Sequence, residues 1–205
     1  HLAKGEPAQA KSDLSKVIDL NPGFIKARLL MAEIYMRERD LELAQKEIRE
    51  ILAQEPENYQ AQMQLGNSFF LQEKYSQARQ AYQKMIELEP ENTLGYFRLG
   101  IVQRRLEQYD AALTNFEKAL SLNPRLMDAF VNIIRINADL KDFDAALAKC
   151  GQKLKEAGEN AAEAATIYNL KGQLFLAQKK LPQAEQSFQA ALKANPDYLP
   201  PYYAL

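Results

Sequence analysis

The chain has 205 residues, 47% of them hydrophobic and 26% charged, which is an ordinary composition for a folded protein of one or two domains. Its formal net charge of −1 gives no overall attraction to nucleic acid or to an anionic membrane surface. No apolar run approaches the length of about 20 residues that crosses a bilayer, and the single cysteine, Cys150, excludes an internal disulfide.

The first 24 residues have the pattern of one helix followed by a turn. Pro7 suits the first helical position, where its missing N–H costs nothing. Apolar residues then recur at helical spacing as Ala10, Leu14, Val17 and Ile18. Because the chain opens on His1 rather than Met and begins with half of a helix pair, we expect it to be a fragment, so a targeting segment could have been removed.

A period of 34 residues organises most of the chain. Proline recurs at this interval at Pro22, Pro56, Pro90 and Pro124, and alanine at Ala10, Ala44, Ala78, Ala112 and Ala146. A small residue recurs in the same phase as Ala32, Gly66 and Gly100. Each period holds two amphipathic helical patterns split by a short polar turn, as at Glu107-Gln108. A repeat of this length predicts a solenoid of helix–turn–helix units.

The period divides the chain into one array of repeats. We expect 1–24 to be the second helix of a partial repeat and 199–205 to begin a truncated one. The complete repeats are predicted at 25–58, 59–92, 93–126, 127–164 and 165–198. Predicted helices lie near 24–37, 41–54, 58–71, 75–88, 92–105, 109–122, 161–178 and 182–194.

The fourth repeat departs from the pattern. Ile134 stands at the small position, Lys153 at a usually small apolar one, and Gly158 where proline is due. Pro196 follows Pro124 by 72 residues, which is 34 plus 38, so four extra residues lie between them. Four residues make about one helical turn, and we therefore expect the first helix of the fifth repeat to be one turn longer. We expect the weakest coupling at 151–159.

The register closely resembles that of the tetratricopeptide repeat (TPR) family. The second repeat shows it in the order Leu65, Gly66, Phe69, Ala78, Tyr82 and Pro90. The resemblance covers nearly the whole chain and implies an all-α fold, a right-handed α-α superhelical solenoid of TPR helix hairpins. Gln103 and Asn137 depart from it, because they stand at positions that are normally aromatic and buried. We expect these amides to bond each other, to admit water, or to be partly exposed.

Little in the sequence suggests catalysis. The only histidine is His1, no glycine-rich phosphate loop is present, and the carboxylates follow the solvent-facing phase of the helices. Cys150 stands at a core position and is expected to be a small buried residue rather than a reactive thiol. We expect no enzyme activity, no catalytic residue, no cofactor and no metal site.

The resemblance instead implies binding of a peptide or protein segment on a concave face lined by the first helix of each repeat. The positions carried over are Met63, Asn67, Phe70, Phe97, Arg98, Ile101, Arg105, Asn132, Arg135, Asn169 and Gln173, with Leu29, Glu33, Arg37 and Leu71 beside them. Arginines suit carboxylates, amides suit a peptide backbone, and the apolar members form pockets. An acidic or amphipathic protein ligand is therefore expected. The carboxylate clamp of chaperone-binding TPR domains is absent, because Met63 and Arg98 replace its Lys and second Asn.

Three functions remain open at this point. The leading one is a non-catalytic scaffold that binds protein segments, without nucleic acid and without membrane insertion. The second is a docking or regulatory arm of a larger enzyme. The third is a structural module that associates end to end, because incomplete repeats leave apolar helix faces uncovered.

Overall fold

The structure, a computed structural model, describes residues 7–198, with side chains from residue 8 onward. Within that range the chain forms eleven helices and no strand. They are α1 (Pro7–Leu20), α2 (Ile25–Arg37), α3 (Leu41–Gln54), α4 (Tyr59–Leu71), α5 (Tyr75–Leu88), α6 (Thr93–Arg105), α7 (Tyr109–Leu122), α8 (Met127–Asp139), α9 (Phe143–Ala157), α10 (Ala161–Ala177) and α11 (Leu181–Ala194). The all-α class and its succession of helix hairpins are confirmed. The sixth unit predicted at 199–205 lies outside the described residues.

The eight predicted helices begin and end within one residue of the observed ones. Pro7 opens α1 as expected, whereas α11 begins at Leu181 and places Pro182 second. The extra turn is present, since α10 has 17 residues where α2, α4, α6 and α8 have 13 each. Asn160 caps its start, with its side-chain oxygen accepting from the Glu163 N–H at 3.2 Å. The predicted inserted turn is thus confirmed.

The described chain divides into two compact units, one ending at Asn115 and the other beginning at Phe116. In the first unit each helix from α1 to α6 packs against the next, and the first helices α2 and α4 also touch. In the second unit α8 to α11 pack in the same succession, and α8 also touches α10. The division falls within α7, and not at 151–159 where weak coupling was expected. Cys150 and Ile167, on either side of that segment, share one buried cluster.

In two of the hairpin cores a glycine on the first helix faces an aromatic ring on the second. A Cβ added to Gly66 would lie 2.4 Å from Tyr82 Cε1, and one added to Gly172 would lie 2.3 Å from Phe188 Cε1. Both distances are shorter than any van der Waals contact, so the two rings fill the space that a side chain would occupy. The predicted role of the small position, close approach of two helices, is confirmed there.

The fourth repeat reverses this order of sizes. Ile134 occupies the small position and Cys150 the large one, and both lie in the same buried cluster. Lys153 is also buried, at 8% exposure, although its equivalents Ile51, Met85 and Ala119 are apolar. Its ammonium donates to the Pro124 carbonyl oxygen at 2.7 Å and lies 3.4 Å from a Glu163 carboxylate oxygen. The charge is therefore buried together with partners, as a buried lysine requires.

The ends of the second helices depend on the residue that follows. Glu55 and Glu89, each preceding a proline, have ψ values of 83° and 77° and stop the helix there. At Gly158, where proline is missing, α9 continues to Ala157 and stops at a glycine with φ of 54°. Glycine adopts this positive φ without the penalty that a Cβ imposes.

The turn inside each hairpin has one residue in the left-handed region. These residues occupy the same register position and are Arg39, Glu73, Glu107, Lys141 and Lys179, with φ between 57° and 65°. At the third turn, the Gln108 N–H donates to the Gln103 carbonyl oxygen at 2.9 Å and the Glu107 N–H to the Arg104 carbonyl oxygen at 3.1 Å. This is the Schellman pattern that satisfies the last carbonyls of a helix, and it usually employs glycine.

The two unusual amides, Gln103 and Asn137, each find a partner inside their own unit. The Asn115 amide nitrogen donates to Gln103 Oε1 at 2.7 Å, and Gln103 is half-buried. Asn137 is buried, and its amide nitrogen donates to the Ile133 carbonyl oxygen at 2.8 Å. Gln103 thus accepts, and Asn137 donates, one hydrogen bond within its own unit.

The two helix-interior glycines of the second unit should respond to alanine in opposite directions. Gly172→Ala is expected to lower the free energy of unfolding by about 1–3 kcal/mol, because its Cβ overlaps the Phe188 ring. Gly151→Ala meets nothing within 4 Å and should raise it by about 0.5–1 kcal/mol, through helix propensity alone. Urea denaturation followed by circular dichroism measures both; a stabilising Gly172→Ala would contradict the packing.

Glycine at a left-handed turn position should stabilise the protein. Glu107→Gly is expected to raise the free energy of unfolding by up to about 1 kcal/mol, because a residue with a Cβ is strained at φ near 57° and glycine is not. Glu91→Gly serves as the control, since Glu91 is an exposed turn residue without positive φ. The control should lose stability, and equal losses in both variants would argue against strain at Glu107.

Candidate functional site

A cleft opens between the first helices of unit one. Its volume is about 410 Å³, and it is lined by side chains of α2, α4 and α6, here named the first-helix cleft. The lining residues are Glu33, Met36, Arg37, Asn67, Phe70, Leu71 and Arg98. The cleft is placed by the hairpin cores beneath it, because α2 and α4 pack against each other as well as against their own second helices.

One wall of the first-helix cleft is apolar. It is formed by Met36, Phe70 and Leu71, of which Leu71 is 39% exposed. The Phe70 ring lies in a tilted arrangement against Tyr75, with 5.6 Å between ring centroids. Aromatic pairs favour such geometry, so Phe70 presents a held ring rather than a free one. This wall suits an apolar side chain of a ligand.

The polar group at the centre is the amide of Asn67. The Tyr82 hydroxyl donates to Asn67 Oδ1 at 2.8 Å. Burial raises the pKa of Tyr82 to about 12, while the positive charge of Arg98 acts in the opposite direction. Tyr82 therefore stays protonated and remains a donor at physiological pH. With its oxygen engaged, Asn67 keeps the two N–H donors of its amide for a ligand.

Arginines provide the positive charge of the cleft. Arg98 Nε is buried and has no hydrogen-bond partner among the described residues. Arg37 is paired with Glu33 at 2.6 Å on the same helix, so its charge is largely compensated. The uncompensated cation of the lining is thus Arg98. A guanidinium of this kind binds a carboxylate well, because its donors match the two carboxylate oxygens.

The structure brings three of the predicted site residues into this cleft, namely Asn67, Phe70 and Arg98. The other predicted residues of unit one lie outside its lining: Met63, Phe97 and Ile101 are half-buried, and Arg105 is exposed. In unit two, Arg135 and Gln173 are exposed, while Asn132 and Asn169 are 7% and 6% exposed. The Asn132 amide nitrogen donates to the Asp128 carbonyl oxygen at 2.8 Å, within its own helix. Leu29, expected beside the groove, lies instead in a core cluster.

Unit two has a cleft of its own, of about 210 Å³, formed mainly by the second helices α7 and α9. Its apolar floor includes Leu120 and Phe130. Its charges are paired within the protein: Lys149 with Glu117 at 2.9 Å, and Lys153 with the Pro124 carbonyl oxygen. None of the predicted site residues lines it. Because its charges already have partners, this cleft is a weaker candidate than the first-helix cleft.

Sequence reasoning missed one lining residue of the first-helix cleft, Met36, and one residue that contacts the lining, Tyr82. Met36 was not assigned to the groove, although it precedes Arg37, which was. Tyr82 was assigned to the core, where its ring does lie at 1% exposure. A signal for its second role was present, because Tyr82 alone carries a hydroxyl among the equivalent positions Ile48, Tyr82, Phe116, Cys150 and Phe188.

Other kinds of site find little support in the described part of the chain. Residues 7–198 contain no group of three or more His, Cys, Asp or Glu side chains arranged to hold a metal ion. None of the helices in that range combines the length and hydropathy of a membrane span. Cys150 is fully buried, and burial raises the pKa of its thiol to about 12, which leaves it protonated and unreactive at neutral pH.

Solved structures with the same fold include several TPR proteins. PilW, a type IV pilus biogenesis factor, superposes with a TM-score of 0.76 at 17% identity, over 99% of this chain and 92% of that one. PilF of Pseudomonas aeruginosa gives 0.72 at 22% identity, over 99% and 90%. YrrB, a TPR protein with an unusual peptide-binding site, gives 0.65 at 21% identity, over 93% and 96%. At these identities the likeness concerns the fold.

Sequence comparison leads to the same family. No curated protein matches the chain significantly. Family models described as tetratricopeptide repeat match residues 1–67, 59–92 with 94–126, and 152–198. The stretch between 126 and 152 lies outside these matches and falls within the fourth repeat, where the sequence leaves the pattern. The chain belongs to the tetratricopeptide repeat family and has the protein-interaction scaffold that its repeats form.

Proposed function

We propose that this protein binds a peptide or protein segment in the first-helix cleft, and that the segment is acidic or amphipathic. The observation that carries the proposal is that N–H donors with no acceptor given among the described residues lie beside an apolar wall. Arg98 and Asn67 offer N–H groups, while Met36, Phe70 and Leu71 offer apolar surface in the same cleft of about 410 Å³. YrrB provides a precedent for a peptide-binding site on this fold.

Charge supports an acidic ligand over a basic one. Of the lining residues, Arg37 and Glu33 compensate each other, which leaves the cation of Arg98. A carboxylate placed there would gain charge-assisted hydrogen bonds, whereas a lysine or arginine would meet an uncompensated like charge. The apolar wall would at the same time bind a neighbouring apolar side chain, which accounts for the amphipathic character.

Unit two would offer contacts of its own. Arg135 and Gln173 are exposed on the first helices α8 and α10, which touch each other. We propose that these two residues bind a protein segment in unit two, with a cation and an amide available. Asn132 and Asn169, of which little is exposed, would contribute less to such contacts.

We also propose that the described chain is itself non-catalytic. Its repeats belong to a family of interaction modules, and its buried cysteine is protonated at neutral pH. Any chemistry would then come from the bound partner, or from a larger enzyme to which the array belongs as a docking or regulatory arm.

Reversal of the Arg98 charge should weaken binding. Short peptides selected by phage display against the wild-type protein provide the ligand, and calorimetry measures their affinity. Arg98→Glu is expected to weaken binding by at least about tenfold, because a charge-assisted hydrogen bond of about 1.5–3 kcal/mol is replaced by repulsion. Lys46→Glu, the same charge change at an exposed residue of the second helix α3, is the control.

The selected sequences give an independent check on the same proposal. They should be enriched in Asp or Glu next to an apolar residue. Enrichment of basic peptides, or equal binding to the Arg98→Glu variant with unchanged helicity, would refute the assignment of this cleft.

A second candidate function is self-association, and exposed apolar residues at α1 favour it. Leu20 is 88% exposed, Phe24 is 43% exposed and Val17 is 37% exposed. Val17 and Leu20 are three residues apart on α1, which places them on the same side of that helix. We propose that this apolar strip contacts a second copy of the chain.

Removal of the strip should reduce association. Wild-type protein is expected to show a weight-average mass that rises with concentration in light scattering, because exposed apolar area is buried in the contact. The double variant Leu20→Ser, Phe24→Ser should remain monomeric. Leu181→Ser, at a residue that is 64% exposed on α11, is the control and should associate like the wild type. A strictly monomeric wild type would eliminate this candidate.

A further inference from the structure

Tyr82 contacts a lining residue of the first-helix cleft from the hairpin core, through its hydroxyl oxygen. Its ring is buried in the hairpin core at 1% exposure, against Gly66. Its hydroxyl donates to Asn67 Oδ1 at 2.8 Å, and Asn67 lines the cleft. A buried residue of the second helix α5 thus sets the orientation of a cleft residue on the first helix α4.

The position of the hydroxyl is fixed by packing. A Cβ on residue 66 would lie 2.4 Å from Tyr82 Cε1 and 2.6 Å from its Cδ1, so only glycine leaves room for the ring where it lies. The ring cannot withdraw without opening a void in a core that includes Ala78 and Met85. The hydrogen bond therefore holds the Asn67 amide in one of the two orientations that a flip of the side chain would otherwise interconvert.

The orientation decides which ligand atoms Asn67 can bind. A free asparagine amide can turn either its NH₂ donors or its carbonyl acceptor toward a ligand. With Oδ1 held at the Tyr82 hydroxyl, Asn67 presents its N–H donors to the cleft. Arg98 supplies more donors in the same cleft, including an Nε that is buried without a partner among the described residues. An arginine has no acceptor, so Asn67 and Arg98 together present donors, while the one carboxylate of the lining, Glu33, is paired with Arg37.

We propose that Tyr82 is a positioning residue which makes the first-helix cleft select a carboxylate side chain over the corresponding amide. A glutamate or aspartate of the ligand presents acceptors alone and matches the donors of Asn67 and Arg98. A glutamine or asparagine offers one acceptor oxygen instead of two and carries no charge, so it would leave one of these donors unpaired, which is unfavourable in a partly buried site. The inference rests on the proposed function, and adds the chemical class of one ligand residue and the residue that specifies it.

Two matched probes test this inference, N-acetyl-Leu-Glu-amide and N-acetyl-Leu-Gln-amide. Each is titrated into ¹⁵N-labelled protein, and the side-chain NH₂ signals of Asn67 report binding at the cleft. The wild type is expected to bind the glutamate probe about tenfold more tightly than the glutamine probe. The glutamate probe gains one charge-assisted hydrogen bond, whereas the glutamine probe leaves one donor unpaired. Tyr82→Phe should reduce this preference to about threefold or less, because Asn67 can then rotate and accept from glutamine, while Arg98 still favours the acid.

A control and an independent signal accompany the titration. Tyr75→Phe removes a hydroxyl from the ring that packs on Phe70 and should leave the preference unchanged. Before any probe is added, Tyr82→Phe should shift the Asn67 side-chain signals and broaden them, since the amide is released. This readout would not change if Tyr82 served packing alone.

The possible outcomes separate the inference from the proposed function. Equal binding of both probes to the wild type would overturn the inference and leave peptide binding intact. If Tyr82→Phe keeps the wild-type preference for the glutamate probe, selection would be assigned to Arg98 alone, and the inference would also be overturned. If neither probe shifts the Asn67 signals while the selected peptides fail to bind as well, both the inference and the proposed function fall.

Discussion

The structure depends on a steric constraint: the two helices of a hairpin touch where one of them has almost no side chain. At Gly66 and Gly172 the opposing aromatic ring occupies the place of the missing Cβ. Burial of such a ring contributes about 1.5–3 kcal/mol, and only close approach of the helices makes it complete. A repeat cannot bury its apolar face alone, so each hairpin also needs its neighbours. Burial of apolar surface therefore requires both close helix packing within a hairpin and the repetition of hairpins along the chain.

The same constraint places the candidate site. Because the Tyr82 ring is held against Gly66, its hydroxyl lies at one fixed point, within hydrogen-bond distance of Asn67. Asn67 follows Gly66 in the chain and faces the cleft, as Glu33 does after Ala32. A site supported in this way is carried by rigid helices, which holds its polar groups more accurately than a loop would. The core thus specifies the orientation of a group that the surface presents.

Most of the fold could be predicted from the sequence, because its signals are local and repeat. Proline at a fixed interval marks the ends of the second helices, and the residues before it are extended, as at Glu55 and Glu89. The spacing of 38 between Ala146 and Ala184 predicts the longer α10. What the sequence could not reveal is the division within α7, since it depends on the sum of many weak contacts and leaves no local mark.

The candidate site was less predictable for a physical reason. Register identifies which side of a helix a residue is on, but not how much of it neighbouring helices cover. Asn132 occupies the register position of Arg98, yet Asn132 is 7% exposed and bonded to its own helix, whereas Arg98 lines a cleft. The engagement of Asn67 Oδ1 was likewise hidden, because it comes from a residue 15 positions away whose type suggested only a core role.

The fourth repeat shows that the packing constraint does not fix which helix of a hairpin supplies the large residue. Its small and large residues are exchanged, with Ile134 opposite Cys150, and the core remains filled because total volume matters more than which helix supplies it. Lys153 replaces an apolar residue and is accommodated because its ammonium reaches the Pro124 carbonyl oxygen and Glu163. Core positions can therefore change in compensating groups without changing the fold. The residue after the small position differs among the repeats: it is Asn67 in the second repeat, Arg135 in the fourth and Gln173 in the fifth. Variation there alters what the surface can bind at little cost to stability, which is how one architecture can serve different ligands.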